Sequence, residues 1–157
     1  MYIALENIRS LYNVGAMFRT CSFFGFNNVL LIGYSGTITL PSGKKELHPK
    51  LLKASLGSEK SLSITFLDSA PALRDFCSSH QCSIVSVEQS PSSVSLVNFV
   101  PSGDTVFVFG NEVTGVSEEV LQISKQIIEI KGGGTHNSLN VATSCGIVLQ
   151  HLKAFTN

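Results

Sequence analysis

The chain has 157 residues, 43% of them hydrophobic and 14% charged, and its 11 Lys plus Arg offset 11 Asp plus Glu to a net charge of +0. That length suits one folded domain, the hydrophobic share excludes disorder, the charged fraction is well under the usual ~25%, and the lack of a positive excess argues against a polybasic clamp on duplex nucleic acid. No apolar run approaches the ~20 residues of a membrane span, and the start Met1-Tyr2-Ile3-Ala4-Leu5-Glu6 lacks a charged region followed by an apolar one, so the sequence reads as cytoplasmic.

In chain order, the patterning predicts strands over 2–5, 28–32, 62–66, 83–87, 105–109 and 126–130, interleaved with helices over 14–24, 70–78 and 138–155. A further helix starts after Gly115, with Ser117 as N-cap and Glu118 and Glu119 in its first turn. Most strands are continuous apolar runs, the mark of burial on both faces, so the expected class is α/β with a parallel sheet. Cys21, Cys77, Cys82 and Cys145 form no CxxC pair, and Cys77, His80 and Cys82 have no second cluster to complete a zinc site; buried, reduced thiols and no metal are expected.

Two loops carry more than connection. Residues 44–60 hold five Lys (including Lys44 and Lys45) and two Glu, a local positive stretch that is either a solvated face or an RNA contact. Lys131-Gly132-Gly133-Gly134-Thr135-His136-Asn137 has three consecutive glycines, whose entropy cost implies a left-handed backbone or a close approach by another group. Neither GxGxxG after the first strand, nor GxxxxGK[ST], nor GxSxG occurs, so dinucleotide, P-loop and hydrolase-elbow sites are not supported.

Three segments remain: Asn13-Val14-Gly15-Ala16-Met17-Phe18-Arg19-Thr20, Phe109-Gly110-Asn111-Glu112-Val113-Thr114-Gly115, and Ile130 through Ser138-Leu139-Asn140. In this order they resemble the N-x-G-x-x-x-R-[TS], F-G-x-E-x-x-G and I-P-M-x-G-x-x-x-S-L-N motifs of the SpoU (TrmH-like) family of RNA ribose 2′-O-methyltransferases, in the SPOUT class. The likeness runs from Leu5 to about Leu152. It implies a parallel sheet with helices on both faces and a C-terminal trefoil knot. It implies S-adenosyl-L-methionine as methyl donor, held by Val87, Glu88, Phe109, Gly110, Ile130, Ser138 and Leu139. It also implies an RNA substrate, tRNA favoured over rRNA by similarity to small wobble-position enzymes, and a homodimer through the knot region, for which Cys145, Ile147, Val148 and Leu149 supply an apolar face.

The same resemblance assigns catalysis or substrate positioning to Arg19, Asn13, Glu112, Ser138 and Asn140. Arginine is too basic for an ordinary general base, so Arg19 is expected to grip a phosphate and stabilise the developing 2′-alkoxide. It shares a face with Asn13 only if the helix starts near Val14. Simpler readings stand beside these: a surface charge for Arg19, a helix-dipole partner for Glu112, a cap of the last helix for Ser138, core packing for Ile130 and Leu139. Lys131-Gly132 replace the family's Pro-Met and put a cation beside the donor pocket. The chain is expected to be a single catalytic domain without a basic N-terminal extension, so recognition falls to the core, to Lys44 and Lys45, and to a partner subunit. A silent RNA-binding scaffold is the alternative function. Neutrality predicts modest RNA affinity focused on a local structure.

Overall fold

Apolar runs that do not alternate must be covered on both sides, and the computed structural model, which describes residues 1–156, is built that way. Its elements are β1 (Tyr2–Glu6), α1 (Leu11–Phe24), β2 (Asn28–Ile32), β3 (Thr37–Thr39), β4 (Lys45–Leu47), α2 (Pro49–Ser55), β5 (Ser63–Leu67), α3 (Ala70–His80), β6 (Ser83–Val87), β7 (Val94–Ser95), β8 (Thr105–Phe109), α4 (Glu118–Ile123), β9 (Gln126–Glu129) and α5 (Val141–Lys153). Seven strands make one parallel sheet in the order β5-β2-β1-β8-β6-β9-β7, while β3 and β4 form a separate antiparallel hairpin.

Successive strand residues point to opposite faces, and the core divides accordingly. Ile3, Leu5, Val29, Leu31, Phe107 and Phe109 meet Val14, Met17, Phe18 and Cys21 of α1 and Cys145, Val148, Leu149 and Leu152 of α5. Ala4, Leu30, Ile32, Val106 and Val108 meet Leu73 and Cys77 of α3 and Val120 of α4. Three of the cysteines are buried, and burial together with its neighbour Cys82 pushes the Cys77 thiol up to about 12, which keeps it protonated.

Several expected boundaries move for local reasons. Helix α1 starts at Leu11 because the Ser10 side chain accepts the Asn13 N–H; α5 starts at Val141 because Asn140 accepts from Ala142 and Thr143. Asn140, not Ser138, is therefore the cap of the last helix. The stretch 33–49, expected as a loop, holds the β3–β4 hairpin, and α2 follows it with His48 as cap and Pro49 at the first helical position. The apolar face assigned to a dimer needs correction: Cys145, Val148 and Leu149 lie in the subunit core and only Ile147 of that set is exposed.

Helix α1 approaches α2 at Gly15, where an added Cβ would stand 2.5 Å from Ala54 Cβ and 2.8 Å from its carbonyl carbon. In Gly15→Ala the helix-propensity gain of about 1 kcal/mol is outweighed by overpacking of about 1–3 kcal/mol. Net destabilisation is the expected outcome of a urea titration, and a rise in stability contradicts this packing.

Candidate active site

The parallel strands all end at one edge of the sheet, and ligands of such sheets bind outside the carboxyl ends, where connections leave in opposite directions. Here that edge carries an open cleft of about 1420 Å³ behind β6, β8 and β9. All seven residues expected to hold the donor line it: Val87 and Glu88, Phe109 and Gly110, and Ile130, Ser138 and Leu139. Glu112 and Asn140 line it too.

The turn after β8 has a fixed shape. Asn111 and Gly115 exchange two backbone hydrogen bonds (3.0 and 2.9 Å), and the Asn111 carboxamide oxygen accepts the N–H groups of Val113 and Thr114. A Cβ on Gly110 would lie 2.2 Å from the Gly115 carbonyl carbon, and Gly115 adopts φ +72 with a Glu88 oxygen where its own Cβ would go. Both glycines of F-G-x-E-x-x-G are thus required by close backbone approach. Glu88 accepts the Val116 N–H at 3.0 Å, and Glu6, only 3% exposed, accepts the Ser117 N–H at 3.0 Å together with the Ser117 hydroxyl.

The three motifs meet at Asn13. Its Nδ2 donates to Glu112 Oε1 at 2.8 Å, and its Oδ1 accepts from Asn140 Nδ2 at 3.1 Å. Glu112 also accepts the N–H groups of Arg9 (2.9 Å) and Ser10 (3.0 Å). Partial burial by itself raises the Glu112 carboxyl, but the hydrogen bonds from Arg9, Ser10 and Asn13 outweigh it and hold it below the ordinary value. A carboxylate so engaged is a poor proton acceptor and a good clamp.

Opposite the turn runs the glycine-rich loop. Residues 131–140 are all exposed, and among the described residues no backbone N–H from Lys131 to Leu139 donates within the protein. Gln89 Nε2 ties the loop to the segment after β6 by donating to the Asn137 carbonyl at 2.7 Å. Lys131 Nζ turns to Glu129 at 3.7 Å, so its charge is partly met by a cleft carboxylate. Free backbone donors, the apolar walls Val87, Phe109, Ile130 and Leu139, and carboxylates at Glu88 and Glu129 are the surroundings that an adenine and a sulfonium require.

Not every expected residue is here. Arg19 is exposed, lines no part of the cleft and has no ion pair among the described residues. Because α1 starts at Leu11, Asn13 sits in its first turn and Arg19, six residues on, points about 120° away around the helix. Lys44 pairs with Glu46 at 3.0 Å; Lys45 pairs with Asp68 at 2.6 Å and donates to the Gly33 carbonyl at 3.1 Å. Sequence reasoning missed Glu6 and Asn111 as organisers of the edge. The signal for Glu6 is a lone acid closing an apolar strand. Among the described residues, no group of three His, Cys, Asp or Glu is arranged to hold a metal ion.

Because its folded value is depressed, Glu112 contributes stability that is present above the ordinary carboxylate range and is lost as pH falls through that lowered value. Glu112→Gln keeps the shape but sets an amide against N–H donors, and an expected loss of about 1–2 kcal/mol follows at neutral pH. In denaturant titrations the gap between wild type and variant narrows as pH falls below the ordinary carboxylate range; a gap independent of pH contradicts the clamp.

The description "SpoU rRNA Methylase family" belongs to the family that matches residues 1–150. A tRNA (guanosine(18)-2'-O)-methyltransferase of Borreliella burgdorferi is 28% identical over 94% of this chain and 63% of its own length. The SpoU methyltransferase AviRb from Streptomyces viridochromogenes, solved in complex with the cofactor AdoMet, superposes with TM-score 0.83 at 19% identity, over 99% of this chain and 57% of that one. A structure described as giving insights into 2-OH methylation of C/U34 on tRNA superposes with TM-score 0.79 at 22% identity, over 99% of this chain and 97% of that one. The chain spans less than two-thirds of the length of each curated relative it matches. With the match covering nearly its whole length and all three motifs joined at one sheet edge, this chain belongs to the SpoU rRNA methylase family.

Proposed function

We propose that this protein transfers a methyl group from S-adenosyl-L-methionine to the 2′-hydroxyl of a ribose in RNA. The observation that carries the reading is the convergence of seven family-matched residues on one cleft, beside a loop whose backbone N–H groups are unpaired. The donor supplies an electrophilic methyl on a positively charged sulfur. Val87, Phe109, Ile130 and Leu139 enclose its base, the 131–139 backbone hydrogen-bonds it, and Glu88 and Glu129 favour its positive charge. Asn13, Glu112 and Asn140 hold the cleft's edges in register, and Ser138 stands exposed in the loop to contact the substrate ribose.

Arg19 acts across a two-fold homodimer. Tyr12, Arg19 and Phe23 follow one another at seven and four residues, so they share a stripe of α1, and Tyr12 and Phe23 are each 82% exposed. A partner covering that stripe brings Arg19 to its own cleft, where the guanidinium grips a substrate phosphate and stabilises the developing alkoxide, the proton leaving to phosphate or solvent. The last segment threads a preceding loop as the family's trefoil knot, tRNA is favoured over rRNA by likeness to small wobble-position enzymes, and the protein works in the cytoplasm. No helix of the described residues is long and apolar enough to cross a membrane.

Labelling total RNA with a methyl-labelled donor, followed by nucleoside analysis, is expected to yield a 2′-O-methylated nucleoside; donor binding without any labelled nucleoside overturns the reading. Arg19→Lys is expected to keep donor affinity in calorimetry and lose about 10²–10³ in turnover. Full turnover in Arg19→Ala overturns its role. Lys44, 71% exposed at its side chain, reaches RNA only by leaving Glu46, so Lys44→Glu is expected to shift the slope of log affinity against log salt by about one, and an unchanged slope makes the hairpin a solvated face.

A further inference from the structure

Arg9 and Tyr34 belong to none of the motifs, yet hydrogen bonds fasten both to the Asn111-Glu112 turn that lines the cleft. The buried Ser35 hydroxyl accepts the Ile8 N–H at 2.9 Å and donates to the Leu5 carbonyl at 2.7 Å, so the loops carrying Arg9 and Tyr34 are pinned one residue away from each. From the other side, Glu112 accepts the Arg9 N–H, and Asn111 Nδ2 donates both to the Tyr34 hydroxyl at 3.0 Å and to the Asn7 carbonyl at 2.7 Å. Asn111 and Glu112 themselves line the cleft. Asn7 has φ 51, and its side-chain oxygen lies where a Cβ on Gly33 would be, so this corner also holds a left-handed non-glycine residue.

The outcome is an aromatic ring whose hydroxyl is tethered while the residue stays 53% exposed, and an exposed arginine, held at its backbone by the same turn, with no ion pair among the described residues. An exposed ring carries a π-face on which any base can stack, and a free guanidinium matches two phosphate oxygens at once. We propose that Tyr34 and Arg9 grip one nucleotide of the RNA substrate, its base stacked on the Tyr34 ring and its phosphate on the Arg9 guanidinium, and so present the ribose to the cleft. The inference rests on the RNA-methylation reading and adds a substrate-positioning pair supplied by the same subunit as the donor cleft. Tethering before the substrate arrives lowers the ordering cost of binding.

The test uses the RNA fraction that the wild-type protein labels. Tyr34→Ala, and Tyr34→Leu as a second variant that fills the space without a π-face, are each expected to raise the RNA KM about tenfold or more, while Tyr34→Phe stays within about threefold. Arg9→Gln is expected to lower the salt slope of RNA binding by about one. Donor Kd by calorimetry is expected to match wild type in all four variants. Wild-type RNA KM in Tyr34→Ala and Tyr34→Leu, or a parallel loss of donor affinity, overturns the proposal. A wild-type protein that binds donor but labels no RNA overturns the methylation reading itself, and the proposal with it.

Discussion

The hydrogen-bond chain Glu112–Asn13–Asn140 is the interaction on which the edge of this sheet depends, because it joins three segments separated by 99 and 127 residues. Each link has a direction. Asn140 caps α5 through its oxygen, a task that aspartate performs as well, but only an amide can also donate to Asn13. Asn13 in turn must accept from one side and donate to the other, which leucine, serine and aspartate cannot do in the same space. The residue types of the motifs therefore follow from the polarity of one chain of bonds before any substrate is considered.

Around that chain, carboxylates do the work that helix-terminal and turn N–H groups demand. Glu112 takes the N–H groups leading into α1, while Glu6 and Glu88 take those leading into α4. All of these donors sit at a sheet edge where several helices begin, so the local field is positive and negative side chains are stabilised there. These bonds engage Glu6, Glu88 and Glu112 with backbone N–H groups. Under the proposed methyl transfer, the proton lost at this edge goes to a phosphate or to water and the arginine of α1 meets the developing charge.

Much of the sheet was legible because its strands are apolar on both faces: Asn28–Ile32, Ser83–Val87 and Thr105–Phe109 fall where their runs of Val, Ile, Leu and Phe predict. The β3–β4 hairpin was not legible, because its three-residue strands are too short for periodicity and its Thr, Ser, Gly and Lys read as loop. The cleft was legible as a set of residues, since the motifs name the strand ends that line it. The direction of Arg19 was not: one serine cap at Ser10 sets where α1 begins, and that fixes the azimuth of every side chain after it. The burial of Cys145, Val148 and Leu149 was hidden for a related reason, because an apolar helix reads the same whether it covers its own sheet or a partner's.

Charge was the feature that first argued against nucleic acid, and its distribution changes that argument. Lys44, Lys45, Arg74 and Lys131 each have a carboxylate within ion-pair distance, so the lysine-rich hairpin is largely self-neutralised. Lys50 and Lys53 of α2 and Lys60 after it are exposed without such partners among the described residues, and α2 packs on α1. With Arg9 before α1 and Arg19 on it, five of the seven cations unpaired among the described residues lie on α1, α2 and the segments next to them; the other two, Lys125 before β9 and Lys153 at the end of α5, do not. At physiological salt a charge is felt over only about 8 Å, so under the proposed function recognition depends on individually placed groups and not on the sum. Under the proposed function, a neutral protein with most of its unpaired cations on two packed helices and the segments next to them holds RNA at close range through those groups, with little hold on duplex elsewhere.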